Sequence, residues 1–379
     1  MTSSRSRNLS RLPLREELKG QEPYGAPQLA VKAMLNVNET TYDVPADVVD
    51  AIAKEVRAAA AQLNRYPDRE FSTLREKLAD YLNRDLAAEG EPAQLTAENI
   101  WAANGSNEIM QHILQAFAGP GRSVLSFPPT YSMYPLYARG TYSEYIAGTR
   151  GADFTQTPAD VAAQIREHRP NVVILCSPNN PTGTALTLET VEAAYEAALE
   201  SDTIVVVDEA YGEFRQTGTG SALALLPGRE RLIVSRTMSK AFALAGGRLG
   251  YLAAAPEVTD AMRLVRLPYH LSAVTQATAV AALDHSATLM ANVERIKEQR
   301  DRIVTALSEM GLHPAPSDAN FVFFGGLADE KAAWQHLLDD SILIRDVGIP
   351  GHLRVTAGTE EETTDFLASL QHFISSATA

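Results

Sequence analysis

Five short, almost wholly apolar runs punctuate the first two thirds of the chain: NIWAA (99–103), SVLSF (123–127), NVVILC (171–176), TIVVV (203–207) and RLIVS (231–235). Helical periodicity or turn chemistry separates them. Runs this short and this apolar, bounded by turn signals, read as strands buried on both faces, the pattern of a mostly parallel sheet covered by helices. The chain therefore reads as α/β. A polar motif follows each run at once, NGSNE, PPTYSMY, SPNNPTG, DEAY and RTMSK, the first three of them marked by Gly or Pro. In a parallel sheet these ends share one edge, where open α/β folds bind ligands.

Helices are expected near 46–62 and 72–84, the second with Leu74, Leu78 and Leu82 in one row, and again at 257–266, 274–284 and 288–310. The last is long enough to lead from one domain to another. Beyond it FVFFGG (321–326), a helix near 329–339, ILIRD (342–346), LRVTAG (353–358) and a closing helix make a smaller α/β domain. With 379 residues, 45% hydrophobic and 21% charged, the chain can fill two such domains and leave a cleft.

A net charge of −14 argues against nucleic-acid binding and requires any anionic ligand to be met by a local Arg or Lys cluster. The single Cys176 excludes an internal disulfide framework, and no run approaches the ~20 apolar residues of a membrane span. The expected setting is cytoplasmic, with no membrane partner. Arg5, Arg7, Arg11 and Arg15 give way at once to Glu16, Glu17 and Glu22, so the first thirty residues read as a surface arm. The dispersed histidines show no metal-ligand spacing.

The strand-end motifs carry the chemistry. A Lys can form a Schiff base with an aldehyde, an Asp can face a pyridinium nitrogen, and Ser, Arg and backbone N–H groups can cradle a phosphate, so the ordered set can hold pyridoxal phosphate. Lys240, which closes RTMSK and is followed by the small and apolar run AFALAGG, is the candidate catalytic amine. Asp208, after Ile204–Val207, is the carboxylate for the ring nitrogen, with Glu209 as the alternative. Asn180 and Tyr211 are candidates for the phenolic oxygen and Tyr131 for stacking on the ring. Ser239, Arg248 and the N–H groups of Ser106 and Asn107 at a helix start are candidates for the phosphate. Arg345 and Arg354, at strand ends in so acidic a chain, suggest an anion receptor.

The set NGSNE, SPNNPTG, VVVDEAY, TMSKAFALAGGRLGY and LRVTAGT resembles the fold-type I aminotransferases over nearly the whole chain. PYGAPQL (23–29), LNVNET (35–40), NRYPD (64–68), ILIRDVG (342–348) and LRVTAG resemble the histidinol-phosphate aminotransferase branch. The resemblance implies a large three-layer, mostly parallel-sheet domain at 61–282, a smaller α/β domain from 31–60 with 283–379, and an arm at 1–30. It implies that Lys240 binds the cofactor covalently and shuttles a proton, and that the other residues act as above. It further implies that Tyr66 reaches the cofactor phosphate of the neighbouring subunit in a homodimer, and that Tyr24, Tyr269, Arg345 and Arg354 line the substrate site. Ser106-Asn107 stands where the family often has Ala-Asp, and PYH (268–270) where it often has PYN. The implied reaction exchanges the amino group between histidinol phosphate with 2-oxoglutarate and imidazole acetol phosphate with glutamate. An aromatic amino acid aminotransferase is the alternative.

Overall fold

The segments VVILC, IVVVD and LIVSRT lie side by side in the middle of a seven-stranded sheet, every residue buried except the half-buried Ile204. The computed structural model describes residues 12–20, 25, 27, 29–92 and 95–377. Two units divide the chain, Met1–Ala30 and Val31–Ala379. The first contains a 3-10 turn, Glu16–Leu18, with Lys19 paired to Glu16 at 2.6 Å.

In chain order the second unit opens with β1 (Ala33–Met34), α1 (Ala46–Ala60), α2 (Ser72–Ala88), β2 (Ile100–Ala103), α3 (Ser106–Phe117), β3 (Ser123–Ser126), α4 (Tyr134–Gly140) and β4 (Glu144–Ala147). It continues with α5 (Pro158–His168), β5 (Val172–Cys176), α6 (Leu188–Leu199), β6 (Ile204–Asp208), β7 (Leu232–Thr237), β8 (Gly250–Ala254), α7 (Pro256–Val265) and α8 (Ala273–Asp284). Then come α9 (Ser286–Glu309), β9 (His313–Pro314), β10 (Phe321–Gly325), α10 (Glu330–Asp339), β11 (Ile342–Leu343), β12 (Arg345–Asp346), β13 (Leu353–Thr356) and α11 (Glu360–Ala377).

The large sheet has the order β2-β8-β7-β6-β5-β3-β4. Strands β3 to β7 are mutually parallel, while β8 runs antiparallel to both of its neighbours, β7 and β2. The fold is α/β with a mostly parallel sheet, as its apolar runs require, and the ends of β2, β3, β5, β6 and β7 share one edge. Two strands lie outside those runs. The edge strand β4 (EYIA) has no fully buried residue, and the Ala-rich β8 follows a glycine pair. Helix α2 continues past 84 because Leu86 extends the buried row of Leu74, Leu78 and Leu82.

The run ILIRD breaks in two. Ile342–Leu343 pairs in parallel with Ala33–Met34, whereas Arg345–Asp346 pairs with β13 in the antiparallel sheet β12-β13-β10-β9. Between them the Ile344 carbonyl accepts the Trp334 indole N–H at 2.9 Å, a bond to a side chain in place of the sheet ladder. Helix α9 leads to that smaller sheet with Leu289, Val293, Ile296, Ile303 and Leu307 buried along one face. Buried Arg300 on the same face donates to the carbonyls of Phe214 at 2.7 Å and Ala319 at 3.2 Å. Among the described residues no helix is long and apolar enough to cross a membrane.

Two glycines let β2 hand directly over to α3. Gly105 takes φ +83°, and a Cβ there would meet the Arg248 guanidinium at 2.5 Å; a Cβ on Gly250 would lie 2.2 Å from the Ser106 backbone nitrogen. The start of α3 is thus pressed against the sheet with its first N–H groups at the ligand edge.

Candidate active site

At the end of β6 two adjacent carboxylates part company. Glu209 is buried among Arg236, whose Nη2 donates at 3.0 Å, Arg215 at 3.4 Å, Ser221 Oγ at 2.7 Å and the Ala222 N–H at 2.7 Å. It is consumed by a structural ion cluster. Asp208, equally buried, accepts from Tyr134 Oη at 2.8 Å, from Ser235 Oγ at 2.9 Å and from the Ala210 backbone N–H, and among the described residues forms no ion pair. Burial pushes its carboxyl above the ordinary carboxylate range, against the pull of those donors. A buried carboxylate facing neutral donors is suited to a cationic ring nitrogen.

Lys240 follows β7 by three residues and is half-buried. Its amine is pulled down to about 8 by burial first, then by the positive charges of Arg354 and Arg248, with Glu39 opposing. Its Nζ donates to the Val37 carbonyl at 3.3 Å, and its own carbonyl accepts from Thr40 Oγ1 at 2.8 Å. Near pH 8 a large share of such an amine is neutral and nucleophilic.

Asn180, Tyr211 and Arg354 form one chain of contacts. Arg354 Nη1 donates to Asn180 Oδ1 at 2.6 Å and Nη2 to the Asn36 carbonyl at 2.8 Å, while Asn180 Nδ2 points at the Tyr211 hydroxyl at 3.4 Å. The buried Arg354 guanidinium also lies over the Phe321 ring, 5.1 Å from its centroid. Arg345 is its cross-strand partner. Directly opposed like charges favour an anion that joins them.

At the candidate phosphate subsite, Arg248 holds φ +53° and donates to the Ala245 carbonyl at 3.1 Å. With Asn107 and Tyr137 it lines an open cleft at the start of α3. Asn107 is exposed, its Oδ1 accepting from Tyr137 Oη at 2.7 Å. Ser106 is half-buried, and Ser239 is buried with its Oγ accepting from Thr237 Oγ1 at 3.0 Å. Helix N-terminal N–H groups beside a guanidinium suit a phosphate, and the missing Cβ of Gly105 leaves that guanidinium room.

Tyr131 is half-buried, edge-on to Tyr134 with ring centroids 5.6 Å apart. Tyr66 is 79% exposed and stacks on Tyr269 at 4.4 Å, so two residues expected in different roles meet on the surface of one chain. Tyr269 takes φ +57°, and the next residue, His270, is anchored by its Nε2 to the Ala102 carbonyl at 2.9 Å and by its ring against Trp101 at 5.4 Å. Tyr24 lies outside the described residues.

Sequence reasoning passed over Asn38, Tyr134 and Ser235. Signals existed for two of them: Tyr134 stands three residues after Tyr131 in the same strand-end motif, and Ser235 is a polar residue closing an apolar strand run. Asn38 stood in LNVNET without a role assigned to it, because its partners Tyr211 and Thr356 lie 173 and 318 residues away.

Residues 31–370 match the family described as Aminotransferase class I and II, and the chain belongs to that family. It is accordingly a pyridoxal-phosphate-dependent aminotransferase of fold-type I, and the donor set above fits that cofactor in charge and chemistry. More particularly, it is 66% identical over 369 residues to the histidinol-phosphate aminotransferase of Paenarthrobacter aurescens, covering 97% of each chain. It is 56% identical to that of Frankia casuarinae, covering 95% of this chain and 89% of the other. The histidinol-phosphate aminotransferase of Sinorhizobium meliloti, solved in complex with pyridoxal 5'-phosphate, shares the fold with a TM-score of 0.79 at 24% identity, covering 92% of each chain.

Proposed function

We propose that this aminotransferase exchanges the amino group between histidinol phosphate with 2-oxoglutarate and imidazole acetol phosphate with glutamate, a step of histidine biosynthesis. The observation that carries the reading is the 66% identity, over 97% of both chains, to a relative named histidinol-phosphate aminotransferase. The opposed Arg345 and Arg354 support it, since a phosphate or a carboxylate satisfies such a pair in a chain of net charge −14.

Pyridoxal phosphate supplies an aldehyde that captures amines and a ring that withdraws electrons from the carbon they carry. The chain supplies everything else. Lys240 would hold the cofactor through Nζ, and its free amine would carry the proton of the substrate Cα. Asp208 keeps a proton on the ring nitrogen, Asn180 and Tyr211 donate to the ring oxygen, and Tyr131 covers the ring face. Ser106, Asn107, Ser239 and Arg248 bind the phosphate. Tyr24, Tyr269, Arg345 and Arg354 meet the substrate, with Arg354 taking the phosphate of one partner and a carboxylate of the other in turn.

The active unit is a homodimer in which Tyr66 reaches the phosphate of the second copy. Its support is the apolar surface a lone chain leaves in water, Leu264 at 86% and Leu267 at 76% exposed, close in sequence to the Tyr269 on which Tyr66 stacks. Within Val31–Ala379, residues 61–282 form the large domain, and 31–60 with 283–379 the small one. A reducing cytoplasmic setting suits the free, buried thiol of Cys176.

Specificity constants for histidinol phosphate and for phenylalanine, each with 2-oxoglutarate, test the reading. Histidinol phosphate is the expected favourite; a preference for phenylalanine replaces the assignment with an aromatic aminotransferase.

A further inference from the structure

Asn38 is buried in a left-handed backbone conformation, φ +57°, which Asn accepts more readily than most residues. Its backbone N–H donates to Thr356 Oγ1 at 3.1 Å, and its carbonyl accepts from Asn320 Nδ2 at 3.1 Å. The Thr356 hydroxyl, having accepted from that N–H, donates to Asn38 Oδ1 at 3.1 Å. With Oδ1 as the acceptor of the Thr356 proton, Nδ2 is left to donate to the Tyr211 hydroxyl at 2.9 Å.

A phenol oxygen offers two lone pairs and one proton. At Tyr211, Asn38 Nδ2 occupies one lone pair and Asn180 Nδ2, at 3.4 Å, is aimed at the other. Asn180 cannot turn round, because its Oδ1 accepts from Arg354 at 2.6 Å. Neither amide can receive the Tyr211 proton, so that proton points away from both. Burial pushes Tyr211 up to about 12, so the proton is present throughout the neutral range.

We infer that Asn38 is a positioning residue that aims the Tyr211 hydroxyl proton at the ring oxygen of pyridoxal phosphate, and so lowers the pH at which the nitrogen joining Lys240 to the cofactor takes up a proton. The inference rests on the placement of Tyr211 at that oxygen proposed above. A donor at the oxygen stabilises its anionic form and weakens its hold on a proton at the adjacent nitrogen. Arg354, Glu39 and Arg248 face Lys240, and Arg354, Cys176 and Asp208 act on Tyr211; all remain in the variants below.

The readout is the pH midpoint of the absorbance change of the cofactor-loaded enzyme, taken with thermal stability. Asn38→Asp replaces the donor by an acceptor that draws the Tyr211 proton back, and the midpoint is expected to rise by about one pH unit. Asn38→Gly, suited to the backbone and adding no charge, moves it the same way by less and serves should the Asp variant misfold. Tyr211→Phe raises the midpoint by itself, and in that background Asn38→Asp is expected to lose most of its effect. An undiminished effect there would assign the shift to the new charge and overturn the inference. Unmoved midpoints in both Asn38 variants, with or without lost stability, overturn it too while Tyr211→Phe still shifts. An unmoved Tyr211→Phe overturns the placement of Tyr211 and the inference together.

Discussion

Tyr134 gives its hydroxyl proton to Asp208 Oδ2 at 2.8 Å while Ser235 holds Oδ1 at 2.9 Å, so a buried carboxylate is fixed in place by two groups without charge. Its folded-state carboxyl lies above the ordinary value of 3.8, because burial outweighs the hydrogen bonds it accepts. The stability it contributes to the cofactor-free protein is therefore complete only below the unfolded value and is lost as pH rises through the folded one.

Asp208→Asn removes that loss. One hydroxyl keeps donating to Oδ1 of the new amide, and the other reverses to accept from its Nδ2. The cofactor-free variant is expected to melt no lower than the parent at pH 7, while kcat/KM falls by at least about 100-fold because the ring nitrogen loses its anion. Scanning calorimetry without cofactor and steady-state kinetics with it check the two halves; a variant that melts well below the parent contradicts the first.

With Lys240 holding the cofactor as proposed, uptake requires a neutral amine there. Because burial and two arginines pull that amine from 10.5 to about 8, the uptake rate of the cofactor-free protein is expected to be half-maximal near pH 8. Stopped-flow absorbance across pH 6.5–10.5, a range of about four units spanning both the shifted and the ordinary lysine value, measures it. Arg354→Ala removes a positive neighbour and moves the midpoint upward, and Lys240→Ala abolishes the covalent band.

Arg354 spends one guanidinium nitrogen on Asn180 and another on the Asn36 carbonyl. Arg354→Ala is expected to weaken both half-reactions by about 100-fold or more, and Arg354→Lys to restore little, since a point charge cannot copy a fork. Single-turnover rates with glutamate and with histidinol phosphate separate the two halves. An unaltered glutamate half-reaction removes Arg354 from the shared site.

Gly250→Ala drives a methyl group against the Ser106 backbone nitrogen, 2.2 Å from the ideal Cβ position. The start of α3 must then back away from the sheet, at a cost of about 1–3 kcal/mol by analogy with overpacked cores. Urea denaturation is expected to reveal that loss, and equilibrium dialysis a weaker hold on pyridoxal phosphate. Unchanged affinity would detach the helix start from phosphate binding.

Lys240→Ala and Tyr66→Ala subunits are each expected to be poorly active alone. If Tyr66 serves the other subunit's site, mixing them creates dimers with one intact site, and activity should climb to about a quarter of the parent level at statistical exchange. Assays during subunit exchange follow the rise, and a flat trace confines Tyr66 to its own chain.

Much of this architecture could be read before any coordinates. NVVILC, TIVVV and RLIVS are apolar without alternation, which only a doubly covered strand tolerates, and they occupy β5, β6 and β7. The edge strand β4 could not be read that way, because a strand with one exposed flank carries a weak pattern. ILIRD looked continuous because nothing in its composition foretells that the Trp334 indole would take the Ile344 carbonyl out of the ladder.

By itself, then, the sequence determined the layering of strands and helices and the order of reactive groups along one sheet edge, since periodicity and strand-end chemistry are encoded over a few neighbouring residues. Only the tertiary structure decided between Asp208 and Glu209, which are equally acidic and adjacent, yet one meets Tyr134 and the other Arg236. It alone brought Asn38 to Tyr211 across 173 residues and to Thr356 across 318. Such contacts follow from side-chain directions that close packing sets between distant segments, and no local stretch of the chain contains that information.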